Sequence, residues 1–482
     1  MNRFKYLWFL EDQCDIKEFR EMIFENESYL EINSDYTDDS IEIRLNRNIY
    51  SIKYPKNVWA SLEEPVKKSI VDHIAFMSTN YLPLVLDKKG IVYNTRLPML
   101  DCFSFKSMMH DLPSSAVLDG EKTVDYLRRY LNLDFVFADE PIVWSRSFEP
   151  EDRAIISFTS GKESLLTLGV CMELGLEPIL VNVIEPSNTY EHRHKAEILE
   201  AIHKEFGLTC YTVPHDVGLF HDPRHMGGRE TSLGWGNQLL YYLILYIPFV
   251  IFHKARYVFY GNEFSCDKEV VNAEGFRTNF CYDQSSHWTT QLDTAARLLT
   301  GGSTRVGSLV GPLNEIAVMR CLHHGFPELA QHQMSCFCDE PSAAASRWCC
   351  NCSKCARNYA FMRALDVDVK GMGFWRDMFG EDYMNLYSVF EGADTYGFDQ
   401  SGLGREEQEL ALHLALERSN DEELLRNFSK ISRYNDVDRW HGKTSDLLKA
   451  DYDFYFGIHE YQAMPRELRD KVHKIYSRIL GG

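Results

Sequence analysis

From Ala154 onward, short β-branched runs alternate with longer helical ones, and this alternation limits the fold more than any other feature of the chain. The pattern predicts strands at Ile155–Phe158, Pro178–Ile184, Cys210–Val213 and Tyr257–Tyr260. Helices are expected up to Leu174, over His192–Phe206 and over Gln238–Phe252. Consecutive strands that need a helical crossover are parallel, and a parallel sheet is covered on both faces. The expected fold class is therefore α/β, a doubly wound parallel sheet. Ligands of such sheets sit beyond the carboxyl ends of the strands. Thr159–Ser164, Glu185 and Gly261-Asn262-Glu263 all follow strands, so they are expected to converge on one crevice.

At 482 residues the chain exceeds what a single core holds, and its texture divides in three. Residues 1–150 read as an N-terminal α+β domain, with alternating runs at Ile41–Leu45 and Ile49–Ile52 and helical patterns at Ser61–Leu86 and Glu121–Leu131. Phe103 and Phe105 read as core. Residues 151–365 hold the sheet domain. Residues 366–482 form a helical C-terminal region, with periodic stretches at Glu406–Arg418, Asp421–Phe428 and Pro465–Leu480.

Lys and Arg total 51 against 71 Asp and Glu, a net charge of −20, which opposes an extended nucleic-acid footprint. The apolar run Leu239–Phe252 is shorter than the ~20 residues of a membrane span and contains Pro248, so it reads as a buried core helix. The stretch before Glu11 is too short for a signal peptide, and the expected location is cytoplasmic.

The first strand runs into Ser157-Phe158-Thr159-Ser160-Gly161-Lys162-Glu163-Ser164 and straight on into a helix. Backbone amides and the positive end of a helix dipole then meet at one point, which suits a phosphate. Small residues let phosphate oxygens approach the main chain. The spacing of neither the P-loop nor the dinucleotide-binding G-x-G-x-x-G is present.

Six of thirteen cysteines fall within Cys336–Cys355. Cys349-x-x-Cys352-x-x-Cys355, with Cys336 as the fourth thiolate, has the spacing of a closed structural zinc site. Cys338 is the alternative fourth ligand. The Cys-Pro that an iron–sulfur motif places three residues on is absent.

Matched position by position, Thr159-Ser160-Gly161-Lys162-Glu163-Ser164 resembles the Ser-Gly-Gly-x-Asp-Ser pyrophosphate loop of the N-type ATP pyrophosphatase (PP-loop) superfamily. Gly161 and Ser164 are retained, while Thr159, Ser160 and Glu163 are mild replacements. The order of this loop, Gly261-Asn262-Glu263, Ser335-Cys336 and the cysteine block with Arg357 and Ala360-Phe361 resembles 7-cyano-7-deazaguanine synthase. It is about as similar to UDP-N-acetylmuramoyl-L-alanyl-L-glutamate epimerase, through Gly261–Ser265, His287-Trp288, Gln291, Pro312–Glu315 and Arg347-Trp348-Cys349. The resemblance spans about Ile155 to Leu365 and implies an adenine nucleotide alpha-hydrolase-like sheet with a zinc-binding loop. Relatives of the synthase also occur in bacterial antiphage systems.

What the resemblance implies is ATP-dependent adenylation of a small-molecule carboxylate, with release of pyrophosphate. ATP would be bound through Ser157, Thr159, Ser160, Gly161, Lys162, Glu163, Ser164, Val183, Gly261 and Asn262, with Mg²⁺ bridging the phosphates. Zn²⁺ would be held by Cys336, Cys349, Cys352 and Cys355. Lys162, Glu163 and Glu263 are the candidate catalytic residues. Lys162 either adds charge at the phosphates or points to solvent; Glu163 holds the metal or caps the helix; Ser164 donates to phosphate. Asn262 and Glu263 are candidates for substrate or ribose contact. His192, His194, His287, Arg305 and Arg320 stand further back. No membrane or extended nucleic-acid partner is expected, and a protein partner or homo-oligomer would use the terminal regions. The rivals are an RNA-thiolating enzyme and a non-catalytic nucleotide-sensing scaffold.

Overall fold

The computed structural model describes residues 28–186, 189–336, 338, 341–390, 405–419, 422–436 and 446–481. The signal-peptide reading of the N-terminus and the expected helix start at Asp421 lie outside them.

The strands, in chain order, are β1 (Tyr29–Tyr36), β2 (Ser40–Leu45), β3 (Asn48–Lys53), β4 (Gly90–Tyr93), β5 (Asp134–Val136), β6 (Glu151–Ser157), β7 (Glu177–Ile184), β8 (Thr209–Pro214), β9 (Ala255–Phe259), β10 (Val270–Val271), β11 (Arg277–Thr278) and β12 (Arg305–Gly307). A five-stranded sheet in the order β12-β9-β6-β7-β8 is parallel throughout. The chain steps outward from β6 to β7 and β8, then returns to the other side of β6 for β9 and β12. The strand order therefore reverses between β6 and β9, the place where such sheets open a crevice for a ligand. Helices Lys162–Glu173, Thr189–Phe206, Gln238–His253 and Ser286–Leu299 make the crossovers.

Alternation along β6 explains why the sheet is covered on both faces. Ala154 and Ile156 point to one core, which they share with Leu165 and Leu168 of Lys162–Glu173 and Ile316 of helix Glu315–Gly325. Leu410 and Tyr476 of the C-terminal region belong to the same core. Ile155 points to the other core, with Leu240, Leu243 and Trp288. That second core also takes in Ile70 and Ile74 of helix Glu64–Met77, so the N-terminal unit is packed onto the parallel sheet rather than standing apart. The N-terminal unit has its own mixed five-stranded sheet, β3-β2-β1-β4-β5. A single bridge, Ile52 to His215, joins β3 to the residue after β8.

The helix expected over Ser61–Leu86 is two helices, Glu64–Met77 and Leu82–Val85. At the break the Ser78 and Thr79 hydroxyls donate to the carbonyls of Ile74 (2.6 Å) and Ala75 (2.5 Å), competing with helical bonding just ahead of Pro83. Among the described residues one stretch, Trp235–His253, is long and apolar enough to cross a membrane, and 67% of its window is buried inside the fold.

Candidate functional site

The turn after β6 has a specific local cause. Ser160 adopts φ 61°, the left-handed region, and lies fully buried with an Oγ that has no partner among the described residues. Its carbonyl accepts a 2.8 Å hydrogen bond from Met334 N–H, which ties the turn to the chain leading into the cysteine cluster. Gly161 is the N-cap of helix Lys162–Glu173, and no side chain among the described residues caps that helix. The first-turn amides are thus left for another acceptor. Ser164 Oγ donates to the Gly161 carbonyl (3.1 Å) and accepts from Thr159 N–H (3.4 Å), closing the loop on itself.

The segment after β9 touches the first turn of helix Lys162–Glu173 at Gly261. A Cβ there would lie 2.6 Å from Glu163 Cβ and 3.5 Å from Ser164 N, so only glycine permits this approach. Between the ends of β6 and β9 lies a cavity of about 380 Å³. Ser157, Thr159, Gly161, Lys162, Glu163 and Ser164 line one side of it. Gly261, Asn262 and Glu263 line the opposite side. Two expected residues stand apart from this lining. Ser160 is buried beneath the loop, and Val183 is half-buried against the core that contains Ile155.

Five ionisable groups crowd the floor of the cavity. Lys162, only 3% exposed, pairs with Glu163 and, at 2.7 Å, with Glu315. Arg357 Nε lies 3.2 Å from the same Glu315 oxygen. One carboxylate oxygen from each of Glu163, Glu263 and Glu315 falls within 4.8 Å of the others, a grouping that can hold a metal ion. Burial pulls the Lys162 ammonium down, but Glu163, Glu315 and Glu263 outweigh it and its pKa is raised. Burial pushes Glu315 up, and the charges of Arg357 and Lys162 more than offset that, holding it below its ordinary value. Glu263 goes the other way: burial first, and Glu315 second, drive its pKa well up. Its Oε1 accepts from Ser265 Oγ at 3.0 Å, while its buried Oε2 has no partner among the described residues. Two cations, Lys162 and Arg357, therefore lie among three carboxyl groups, and a buried cluster of this kind is tolerated only where its charges are paired. Asn262 is held by Thr289 Oγ1 at 2.9 Å.

At the end of β7, Glu185 also lines the cavity. Its Oε1 accepts from Tyr242 OH and from Gln238 Nε2 (3.1 Å), and His215 Nε2 lies 3.5 Å away. Burial pushes this carboxyl up, but His215 and Tyr242 hold it down at about 2.

The cysteine cluster forms the adjoining wall. Ligand sulfurs of Cys336, Cys349, Cys352 and Cys355 all lie within 4.8 Å of one another. The Cys336–Cys352 and Cys349–Cys355 sulfurs are 3.9 and 3.8 Å apart. A tetrahedron of Zn–S bonds of 2.3 Å has edges of about 3.8 Å, so the geometry fits zinc. Backbone N–H groups of Cys338 and Cys349 point at Cys336 Sγ (both 3.3 Å), and that of Cys355 at Cys352 Sγ (3.4 Å), the usual support for bound thiolates. The fourth member of the set is Cys336 rather than Cys338. The knuckle also starts helix Ser353–Ala364, with Cys352 as N-cap. That helix carries Lys354, Arg357 and Asn358 into the cavity wall, so the cysteines and the carboxylates belong to one structure.

Other candidates are placed elsewhere. His287 lies outside the cavity lining, bonded to Tyr282 OH (3.0 Å) and close to Lys106 (3.5 Å). Arg305 grips Asp293 (2.9 Å), Arg320 reaches Tyr452 OH (2.9 Å), and His194 bonds the Ala343 carbonyl (2.7 Å). His192 is half-buried on helix Thr189–Phe206 and also stands outside the lining. Sequence reasoning gave no site role to Glu315 or Lys354, although Glu315 ends the quoted Pro312–Glu315 segment. Glu407, fully buried behind Glu315, was missed altogether; burial, then Glu315, pushes it up to about 8. No family model and no curated protein matches the chain.

Proposed function

We propose that the cavity binds ATP and Mg²⁺ and adenylates a substrate carboxylate, releasing pyrophosphate. The observation that carries this reading is the meeting, at the strand-order reversal, of an uncapped helix N-terminus with Lys162, Glu163 and Glu263. Amides of the Gly161–Ser164 turn would hold the β- and γ-phosphates. Lys162 and Arg357 would offset the phosphate charge, and Ser164 would donate a hydrogen bond. Glu163 and Glu263 would hold the magnesium ion, whose Lewis acidity stabilises the leaving pyrophosphate. Asn262 fixes the β9 edge of the crevice.

A carboxylate is a poor electrophile because its leaving group would be oxide. In the proposed step a carboxylate oxygen attacks the α-phosphorus, the bond from that phosphorus to the bridging oxygen breaks, and the electron pair leaves with pyrophosphate. The acyl-adenylate so formed has AMP as a good leaving group. Resemblance to 7-cyano-7-deazaguanine synthase makes a 7-deazapurine carboxylate the first substrate to try, and a muramoyl-peptide carboxylate the second. The cysteine cluster would hold zinc as a structural ion, supporting the turn through Met334 and the cavity wall through helix Ser353–Ala364.

The test is product analysis with α-labelled ATP, Mg²⁺ and each carboxylate. AMP and pyrophosphate formed in a carboxylate-dependent way support the enzyme. Saturable binding without turnover replaces it with a nucleotide sensor, and dependence on RNA replaces it with thiolation.

A further inference from the structure

Residues 366–482 carry no motif, yet helix Arg405–Arg418 sends a buried side chain to the start of the helix that carries Glu315. Glu407 is 0% exposed. Its Oε1 accepts a 2.6 Å hydrogen bond from Ile316 N–H, and its buried Oε2 has no partner among the described residues. Ile316 is the second residue of helix Glu315–Gly325, and the N-cap of that helix, Asn314, makes no side-chain cap bond. Asn314 turns instead to His459 Nε2 (2.9 Å) and the Phe454 carbonyl (3.3 Å). Glu407 thus serves, from a distant helix, the amide that an N-cap side chain normally serves. That helix start carries Glu315, the carboxylate paired with both Lys162 and Arg357.

The neighbouring Glu406 acts on the other edge of the site. It pairs with Lys268 Nζ at 3.0 Å, next to the short turn Phe264–Asp267 that follows Glu263. Phe264 stacks on His459 with ring centroids 4.0 Å apart. The segments that carry Glu315 and Glu263 are therefore both braced by the C-terminal region.

We propose that Glu407 is a positioning residue of the site: by capping helix Glu315–Gly325 it sets the Glu315 carboxylate against Lys162 and Arg357. The C-terminal region is on this view a working part of the cavity rather than an appended surface. The catalytic consequence rests on the adenylation reading; the capping itself does not.

The test uses full-length protein and two readouts, hydrogen exchange of the segment around Ile316 and the kinetics of pyrophosphate release. Glu407→Gln keeps a carbonyl acceptor, whereas Glu407→Leu has similar volume and none. In E407L, exchange around Ile316 is expected to quicken about tenfold. Its kcat is expected to fall about tenfold or more, as for a misplaced catalytic group, with KM for ATP nearly unchanged. E407Q is expected to restore both. If E407L does not fold, Glu407→Asp withdraws the acceptor while keeping a carboxyl group, and the same readouts apply. Wild-type exchange in E407L, or in E407D where that variant is used, overturns the proposal. Equal losses of kcat in E407Q and E407L with exchange unchanged also overturn it. If the wild-type protein releases no pyrophosphate, the adenylation reading falls, while the exchange measurement still decides whether Glu407 caps the helix.

Discussion

Replacing Gly261 with alanine tests whether contact between the segment after β9 and the first turn of helix Lys162–Glu173 shapes the cavity. The added Cβ would sit 2.6 Å from Glu163 Cβ and 3.4 Å from the Glu163 carbonyl carbon. Carbon atoms pack at about 3.5–4.0 Å, so the first turn of helix Lys162–Glu173 must retreat by about 1 Å. The atom in the way is a Cβ, fixed to the backbone, so side-chain rotation gives no relief. Overpacking of this kind costs about 1–3 kcal/mol of stability. A displacement of about 1 Å at catalytic groups costs about 10²-fold in rate. Thermal unfolding and a coupled pyrophosphate assay measure the two effects. Gly380→Ala is the control, because its new Cβ would meet nothing closer than 3.7 Å. The reasoning is refuted if G261A loses stability as expected yet keeps wild-type nucleotide affinity and turnover.

Metal analysis should find one zinc per chain, and chelation or Cys355→Ser should unravel helix Ser353–Ala364 and abolish nucleotide binding; a metal-free protein with unchanged melting and binding contradicts this. Ser160→Gly should leave nucleotide binding intact and stabilise the fold by up to about 1 kcal/mol, since glycine accepts the left-handed φ of 61° that serine resists. A clear destabilisation in urea would show that the serine hydroxyl is needed. Acid sensitivity should trace in part to His73, whose Nδ1 lies 2.6 Å from the Ser69 carbonyl while Nε2 accepts from Leu100 N–H (3.3 Å). Burial lowers its pKa from 6.5 to about 4, so the folded state takes up its proton later than the unfolded state does. Stability is therefore full above pH 6.5 and falls by about 3 kcal/mol as pH drops towards 4. Denaturant titrations of His73→Gln should show a shallower slope over that range, and an unchanged slope would assign the effect elsewhere.

The parallel sheet was readable because both its faces are buried, which makes each strand a continuous apolar run such as Ile155-Ile156 and Ile179-Leu180-Val181. Helices Lys162–Glu173 and Gln238–His253 ended within a residue or two of their expected limits for the same reason. Strand β12, only Arg305–Gly307, gave no periodic signal, being too short for one. Helix Asp101–Leu118 was also missed, because Pro113 and its many serines break the helical pattern; Phe103 and Phe105 lie on it, half-buried against the core. The glycine-serine turn and the cysteine spacing were legible as local chemistry. Glu315, Arg357 and Glu407 meet only through tertiary packing, and single charged residues on helices look alike in a sequence whether they face solvent or a buried ion pair. Val183 was expected at the nucleotide, yet its strand position turns it towards the helical core.

The most direct measurement is a crystal structure with Mg²⁺ and an ATP analogue whose α,β-bridge is methylene, which binds without being cleaved. The triphosphate should lie on the amides of Gly161–Ser164, with the metal between it and Glu163 and Glu263. Density for the analogue elsewhere, or none at saturating concentration, would remove phosphate gripping at the β6 turn and the adenylation chemistry with it.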